Sequence, residues 1–188
     1  MSAPRQIGPH GRTTNVATGK RFRKAMGLPQ GVGWCVPVPR DLLNSPAWLA
    51  MSHPCRKLID ALMAEHADHG GLENGNLMAP YDMLQARGMR RGNILNAVIE
   101  AEALGIVDPT RGARSYGSRR APSRYRLTWL GTPDGLMATN EWKSIKTADE
   151  AKIRVSNALD RLKRERAIKA ANRAELAGKR RAERSRAA

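Results

Sequence analysis

Residues 80–106 read PYDMLQARGMRRGNILNAVIEAEALGI, and this stretch decides the fold. It encodes two short helices joined by a tight turn. The first runs from about Tyr81 to Ala86. Arg87-Gly88-Met89 ends it, because Gly88 is free to take the left-handed conformation that closes a helix. The second runs from about Arg91 to Leu104. Ile94, Ala97, Val98, Ala101 and Leu104 recur at three- and four-residue steps and so share one face. Gly105 stops it. Arg91, Gly92, Asn93 and Asn96 begin the opposite face. The pattern is a helix-turn-helix with side chains suited to phosphates and base edges.

Upstream lies a longer predicted helix. Ser52 or His53 stands at its N-cap, and Pro54 is tolerated in its first turn. Leu58, Ile59, Leu62 and Met63 form its buried stripe, and Gly70-Gly71 ends it. Asp41-Leu42-Leu43 and Ser45-Pro46-Ala47-Trp48-Leu49 each predict a single helical turn, with Trp48 read as a core anchor rather than a base-stacking ring. Residues 34–39, rich in proline, suit an extended segment. Asn74-Gly75 signals a turn, and Asn76-Leu77-Met78 suits a short strand.

Downstream, Ile106-Val107 suits a short strand, and Ser123 to Leu130 alternates as a second one. Between them runs a Gly- and Arg-rich loop. Pro109 to Thr128 holds Arg111, Arg114, Arg119, Arg120, Arg124 and Arg126 and no acid. Six arginines on one hairpin suit phosphate contact or entry into a narrow minor groove. Arg124 and Arg126 alternate with Tyr125 and Leu127; this pair either touches nucleic acid or pairs with Glu100, Glu102 or Asp108. The fold class expected is mainly α with a small antiparallel β wing: a winged helix-turn-helix with a C-terminal helix and basic tails.

The domain plan is a disordered basic arm over 1–34, a winged helix-turn-helix over 35–132, a linker over 133–146, a helix over 147–177 and a basic tail over 178–188. Trp142 is a candidate to pack back on the core. Thr147-Ala148-Asp149-Glu150 matches a capping box, and the helix it opens should reach about Leu176. Its stripe of Ala151, Val155, Ala158, Leu159 and Leu162 is short for a coiled coil, so a homodimer is open.

Charge supports this division. The net charge is +16: residues 1–34 carry six Lys/Arg and no Asp/Glu, 35–146 carry fourteen against eleven, and 147–188 carry thirteen against six. A nearly balanced middle suits a folded domain, and basic ends suit a polyanion. The cluster Lys20-Arg21-Phe22-Arg23-Lys24 either folds onto nucleic acid or solubilises the arm. No apolar run approaches the ~18 residues of a membrane span, and the N-terminus lacks a secretory h-region, so the expectation is a cytoplasmic, nucleoid-associated protein. Cys35 and Cys55 read as free thiols.

Catalytic patterns are lacking: there is no Gly-rich phosphate loop, no GxSxG and no HExxH. Glu100 and Glu102 lie on different sides of their helix. His53, Cys55, His66 and His69 are the metal candidates, and they read better as capping or surface residues. No enzyme, metal or cofactor is expected, with a nuclease using scattered carboxylates as the remaining enzymatic reading. The DNA-contact candidates are Arg90, Arg91, Gly92, Asn93 and Asn96 on the helix and Arg111, Arg114, Arg119, Arg120 and Arg124 on the wing.

Ser45-Pro46-Ala47-Trp48, residues 66–75 (HADHGGLENG), Pro80-Tyr81, residues 97–105 (AVIEAEALG) and residues 122–128 (PSRYRLT) carry a family likeness. Over about Asp41 to Trp129 the chain resembles winged helix-turn-helix proteins of alphaproteobacteria, their plasmids and phages, including repressors of conjugative transfer. The second helix and its exit also resemble the wider MarR and GntR type. The resemblance implies double-stranded DNA binding, with Arg91, Gly92, Asn93 and Asn96 at DNA-facing positions. It departs at both basic ends and at Arg90, where relatives place a Ser or Asp cap. A transcriptional regulator, most simply a repressor of mobile-element genes, is the leading expectation. A plasmid or phage replication or partition protein and an architectural nucleic-acid-binding protein are the alternatives.

Overall fold

The computed structural model describes residues 35–110 and 122–186, with Gly27 and Gly112; side chains are described through Gly178. The molecule is mainly helical with one small two-stranded antiparallel sheet. In chain order come α1 (Arg40–Leu43), α2 (Pro46–Leu49), α3 (His53–Asp68), α4 (Tyr81–Ala86), α5 (Arg91–Ala103), β1 (Val107–Thr110), β2 (Arg124–Leu127), a 3-10 turn (Glu141–Ser144) and α6 (Ala148–Arg186).

Capping sets the helix starts. Ser45 Oγ accepts from Trp48 N at 3.1 Å, and Ser52 Oγ accepts from Cys55 N at 3.3 Å, so Ser52 rather than His53 is the cap of α3. Closing bonds set the ends. At the end of α4, Gly88 N donates to Gln85 O at 2.8 Å and Met89 N to Leu84 O at 3.0 Å. This is a Schellman closure, with Gly88 at φ 78° and buried Leu84 and Met89 as its apolar pair. The same bond pattern ends α3 at Gly70-Gly71 and α5 at Gly105-Ile106.

α5 is the central element. It packs on α3, α4, α6 and β1. Ile94, Ala97, Val98, Ala101 and Leu104 are all buried, as their spacing predicts. Leu58, Ile59 and Leu62 of α3 meet them in one core with Leu42, Leu77, Leu84, Ile106 and Leu127, while Met63 is only partly buried. Trp48 stacks edge-on against Trp129, with ring centroids 6.2 Å apart, and Trp129 Nε1 donates to Pro37 O at 3.0 Å. Trp48 therefore packs into the fold, and Trp129 ties in the proline-rich segment.

The sheet pairs Val107 with Leu127, Asp108 with Arg126, Pro109 with Tyr125 and Thr110 with Arg124. The strand expected at Asn76–Met78 shrinks to one bridge, Leu77 to Tyr125. Asn74 is the reason. Its buried side chain accepts from Leu127 N at 2.7 Å and donates to Leu127 O at 3.0 Å, so an amide side chain takes the place of the next backbone pair. The bridge also explains Pro109. Tyr125 turns its N–H and C=O toward Leu77, so the missing proline N–H leaves nothing unpaired.

Two sequence expectations need correction. Residues 133–146 are not a linker: Trp142 and Ile145 are buried in the main core. Gly105 makes this possible, because a Cβ there would lie 2.8 Å from Glu141 C and Trp142 N. The C-terminal helix does not stop near Leu176. It opens with Thr147 as N-cap, Glu150 N donating to Thr147 Oγ1 at 3.1 Å. The Glu150 carboxylate accepts from Lys146 N at 2.9 Å, in place of the Thr147 N of a full capping box. The backbone runs helical through Gly178 to Arg186. Ala, Arg, Lys and Glu dominate there, and a single exposed glycine costs only about 1 kcal/mol. From Lys163 to Gly178 every residue is exposed, so this half of α6 projects from the domain. Among the described residues no helix is long and apolar enough to cross a membrane.

Candidate nucleic-acid interface

α5 begins at Arg91 with Arg90 as its N-cap residue, and Arg90 makes no side-chain cap. The first turn of the helix thus has no side-chain acceptor, and within it Asn93 N donates to Arg90 O at 2.9 Å. Its remaining backbone N–H groups and the positive end of its dipole face outward, an arrangement that favours an anion. Arg90, Arg91, Gly92 and Asn93 are all exposed, and nothing lies within 4 Å of a Cβ built on Gly92. A phosphate oxygen therefore has clear access to the backbone there.

Beyond this first turn α5 closes off. Asn96 is half-buried, and Ile99 is only 7% exposed. Ala103, one turn further along that side, lines a shallow groove with Arg154, Asn157, Ala158 and Arg161 of α6. The side of α5 away from α3 thus meets α6. Of the residues expected on the exposed face near the helix N-terminus, Arg91, Gly92 and Asn93 are exposed and Asn96 is partly covered.

Arg91 is already positioned. Its guanidinium lies over the Tyr81 ring, 5.3 Å from the centroid, donates from Nη1 to Gln85 Oε1 at 3.1 Å and sits 3.7 Å from Asp82 Oδ1. All three partners belong to α4. Tyr81 lies under the guanidinium face and Gln85 and Asp82 engage Nη1, which leaves the Nε and Nη2 edge for a further acceptor. The exposed Asp82 pair contributes little stability; its effect is orientation.

A cleft of about 210 Å³ opens beside Arg90 and Asn93, lined by His53, Pro54, Lys57, Gly88 and Met89. Lys57 Nζ donates to Gly88 O at 3.3 Å, tying α3 to the turn. From sequence, His53 reads only as a cap or metal candidate, and Lys57 is not singled out. Their only signal was their position four apart at the start of α3, which reads equally as a solvated face.

On the sheet the two strand arginines part ways. Arg124 is exposed and donates to Asn76 Oδ1. Arg126 is buried, with Nη2 2.9 Å from Asp108 Oδ2 and 3.5 Å from Glu141 Oε1, and Nη1 donates to Thr139 Oγ1 at 3.0 Å. Residues 139–142 cover its face of the strand, so Arg126 is a structural cation. Arg111, Arg114, Arg119 and Arg120 lie outside the described residues.

The remaining titratable groups are fixtures of the fold. Burial pushes the Cys55 thiol up, reinforced by the nearby Glu100 carboxylate, which keeps it a neutral thiol. Burial pulls His66 down to about 4, opposed by Glu73. Among the described residues no group of three or more His, Cys, Asp or Glu is arranged to hold a metal ion. No protein-family model, curated protein or solved structure matches the chain.

Proposed function

We propose that the chain is a winged helix-turn-helix protein that binds double-stranded DNA and regulates transcription, with α4 and α5 as the helix pair and the β1–β2 hairpin as the wing. The observation that carries this reading is the first turn of α5. It is exposed, has no side-chain cap, and presents Arg90, Arg91, Gly92 and Asn93 together, with Lys57 alongside. Helix-turn-helix proteins use this end of the second helix for base and phosphate contacts. The arginines of the intervening loop add phosphate-binding charge, and the resemblance to repressors of conjugative transfer points to control of mobile-element genes.

Arg91 reads a guanine through O6 and N7, and Asn93 an adenine through N6 and N7. Asn96, half-buried, supports rather than leads. Selection of bound duplexes from a random pool, followed by footprinting at two salt concentrations, tests the reading. A regulator selects one short site, palindromic if the chain dimerises. Iterated direct repeats would instead support a replication or partition role, and a pool without enrichment would support an architectural one.

A further inference from the structure

Past Leu162, α6 leaves the domain carrying ten Lys or Arg positions, and five of these ten share one side of the helix while Lys163, Arg164 and positions 179, 181 and 186 lie off it. Arg166, Lys169 and Arg173 are spaced three and four apart, and helix positions 180 and 184, both arginine, continue the same register. At 3.6 residues per turn these five positions fall within an arc of about 60° along roughly 27 Å of helix. Glu165, Glu175 and Glu183 all fall outside that arc. Arg166, Lys169 and Arg173 are exposed, and no ion pair or hydrogen bond engages their side chains among the described residues.

We infer that the projecting half of α6 is a second, sequence-independent nucleic-acid contact, its basic stripe lying along the phosphodiester backbone of a duplex. Charge and spacing select this occupant. Five basic positions along about 27 Å of helix match the span of roughly eight phosphates of one strand, a linear polyanion. A second copy of the chain is disfavoured, because two such stripes repel and no heptad seam continues beyond Leu162. A lipid surface is disfavoured too. The large apolar residues of this half, Ile168 and Leu176, are eight apart and so point about 80° from each other, giving no apolar face to insert. The contact goes beyond the reading of α5 and does not require it: α6 supplies affinity for any duplex, and the first turn of α5 supplies preference among duplexes.

The test uses the full chain and a random-sequence duplex titrated at several salt concentrations. Replacing Arg166, Lys169 and Arg173 together by Gln removes three cations from exposed positions and retains good helix formers. The salt slope of log affinity should fall in magnitude by about 2–3, and affinity at low salt should drop at least tenfold. The pair Arg166→Lys with Arg173→Lys should keep the wild-type slope. An unchanged slope in the triple variant, or equal loss in the lysine pair, would overturn the inference, as would tighter wild-type binding to phosphatidylserine vesicles than to duplex at matched ionic strength. An Arg91→Ala/Asn93→Ala chain run in parallel separates the two contacts. Loss of sequence preference with the random-duplex slope intact belongs to α5, and loss of slope belongs to α6.

Discussion

Glu100 is the residue whose role the sequence concealed most fully. A lone carboxylate in a helix reads as solvent-facing, and its partner lies 48 residues away. In the fold it is buried, and its two oxygens accept from Ser52 N and Ser52 Oγ, both at 2.6 Å. One carboxylate thus fastens the start of α3 to the middle of α5, while Ser52 caps α3. Ser52→Ala removes the cap and one charge-assisted bond together, and urea denaturation should show a loss of about 2 kcal/mol. His66 makes a second prediction. Its buried ring is held neutral, with Nδ1 unpartnered among the described atoms and its pKa lowered to about 4 from 6.5. The unfolded chain therefore binds the extra proton first. The stability this group contributes is full above pH 6.5 and is lost as pH falls from 6.5 toward 4. Between pH 7 and pH 5 the loss should be about 2 kcal/mol, and His66→Gln should abolish that part of the pH dependence. The sequence flagged His66 only as a weak metal candidate, because burial is a property of the packed core and not of the spacing.

At the scale of elements, what the sequence made legible was periodicity, and what it concealed was substitution of one kind of group for another. The α5 stripe, the α3 stripe and the N-cap at Thr147 follow from local spacing. The missing third strand does not, because Asn74 reads as a turn residue and its amide replaces a backbone pair. Residues 133–146 have no period and read as a linker, yet Trp142 and Ile145 complete the core through the opening that Gly105 leaves. Two glycines of one helix region give opposite expectations. Gly105→Ala meets a left-handed φ of 65° and backbone at 2.8 Å, so thermal unfolding should report a loss on the order of 3 kcal/mol. Gly92→Ala meets open space in the first turn of α5. It should leave stability unchanged or raise it by about 0.5 kcal/mol. If the backbone there approaches a phosphate, the same variant should weaken DNA binding several-fold in an electrophoretic shift assay. Unchanged DNA affinity would remove Gly92 from the interface.

For the whole molecule, α6 changes the picture most. Its near half closes the side of α5 that the sequence left open, and its far half carries a basic stripe away from the domain. The interface legible in the sequence was a helix face; the one the packing leaves is a helix end, with Arg91 braced by α4 and Asn93 beside the Lys57 cleft. The partial burial of Asn96 was not legible from spacing, since burial depends on the packed fold. The wing arginines from Arg111 to Arg120 lie outside the described residues, so the sequence alone speaks for them. The central claim is therefore that the first turn of α5 reads DNA. It is tested most directly by comparing wild type and Arg91→Ala/Asn93→Ala on the best selected duplex and on a scrambled one, at one salt concentration. The account predicts that the double variant keeps its fold and its affinity for the scrambled duplex, and loses about 1–3 kcal/mol per lost base contact on the selected one. A double variant that retains the wild-type preference for the selected duplex would contradict it.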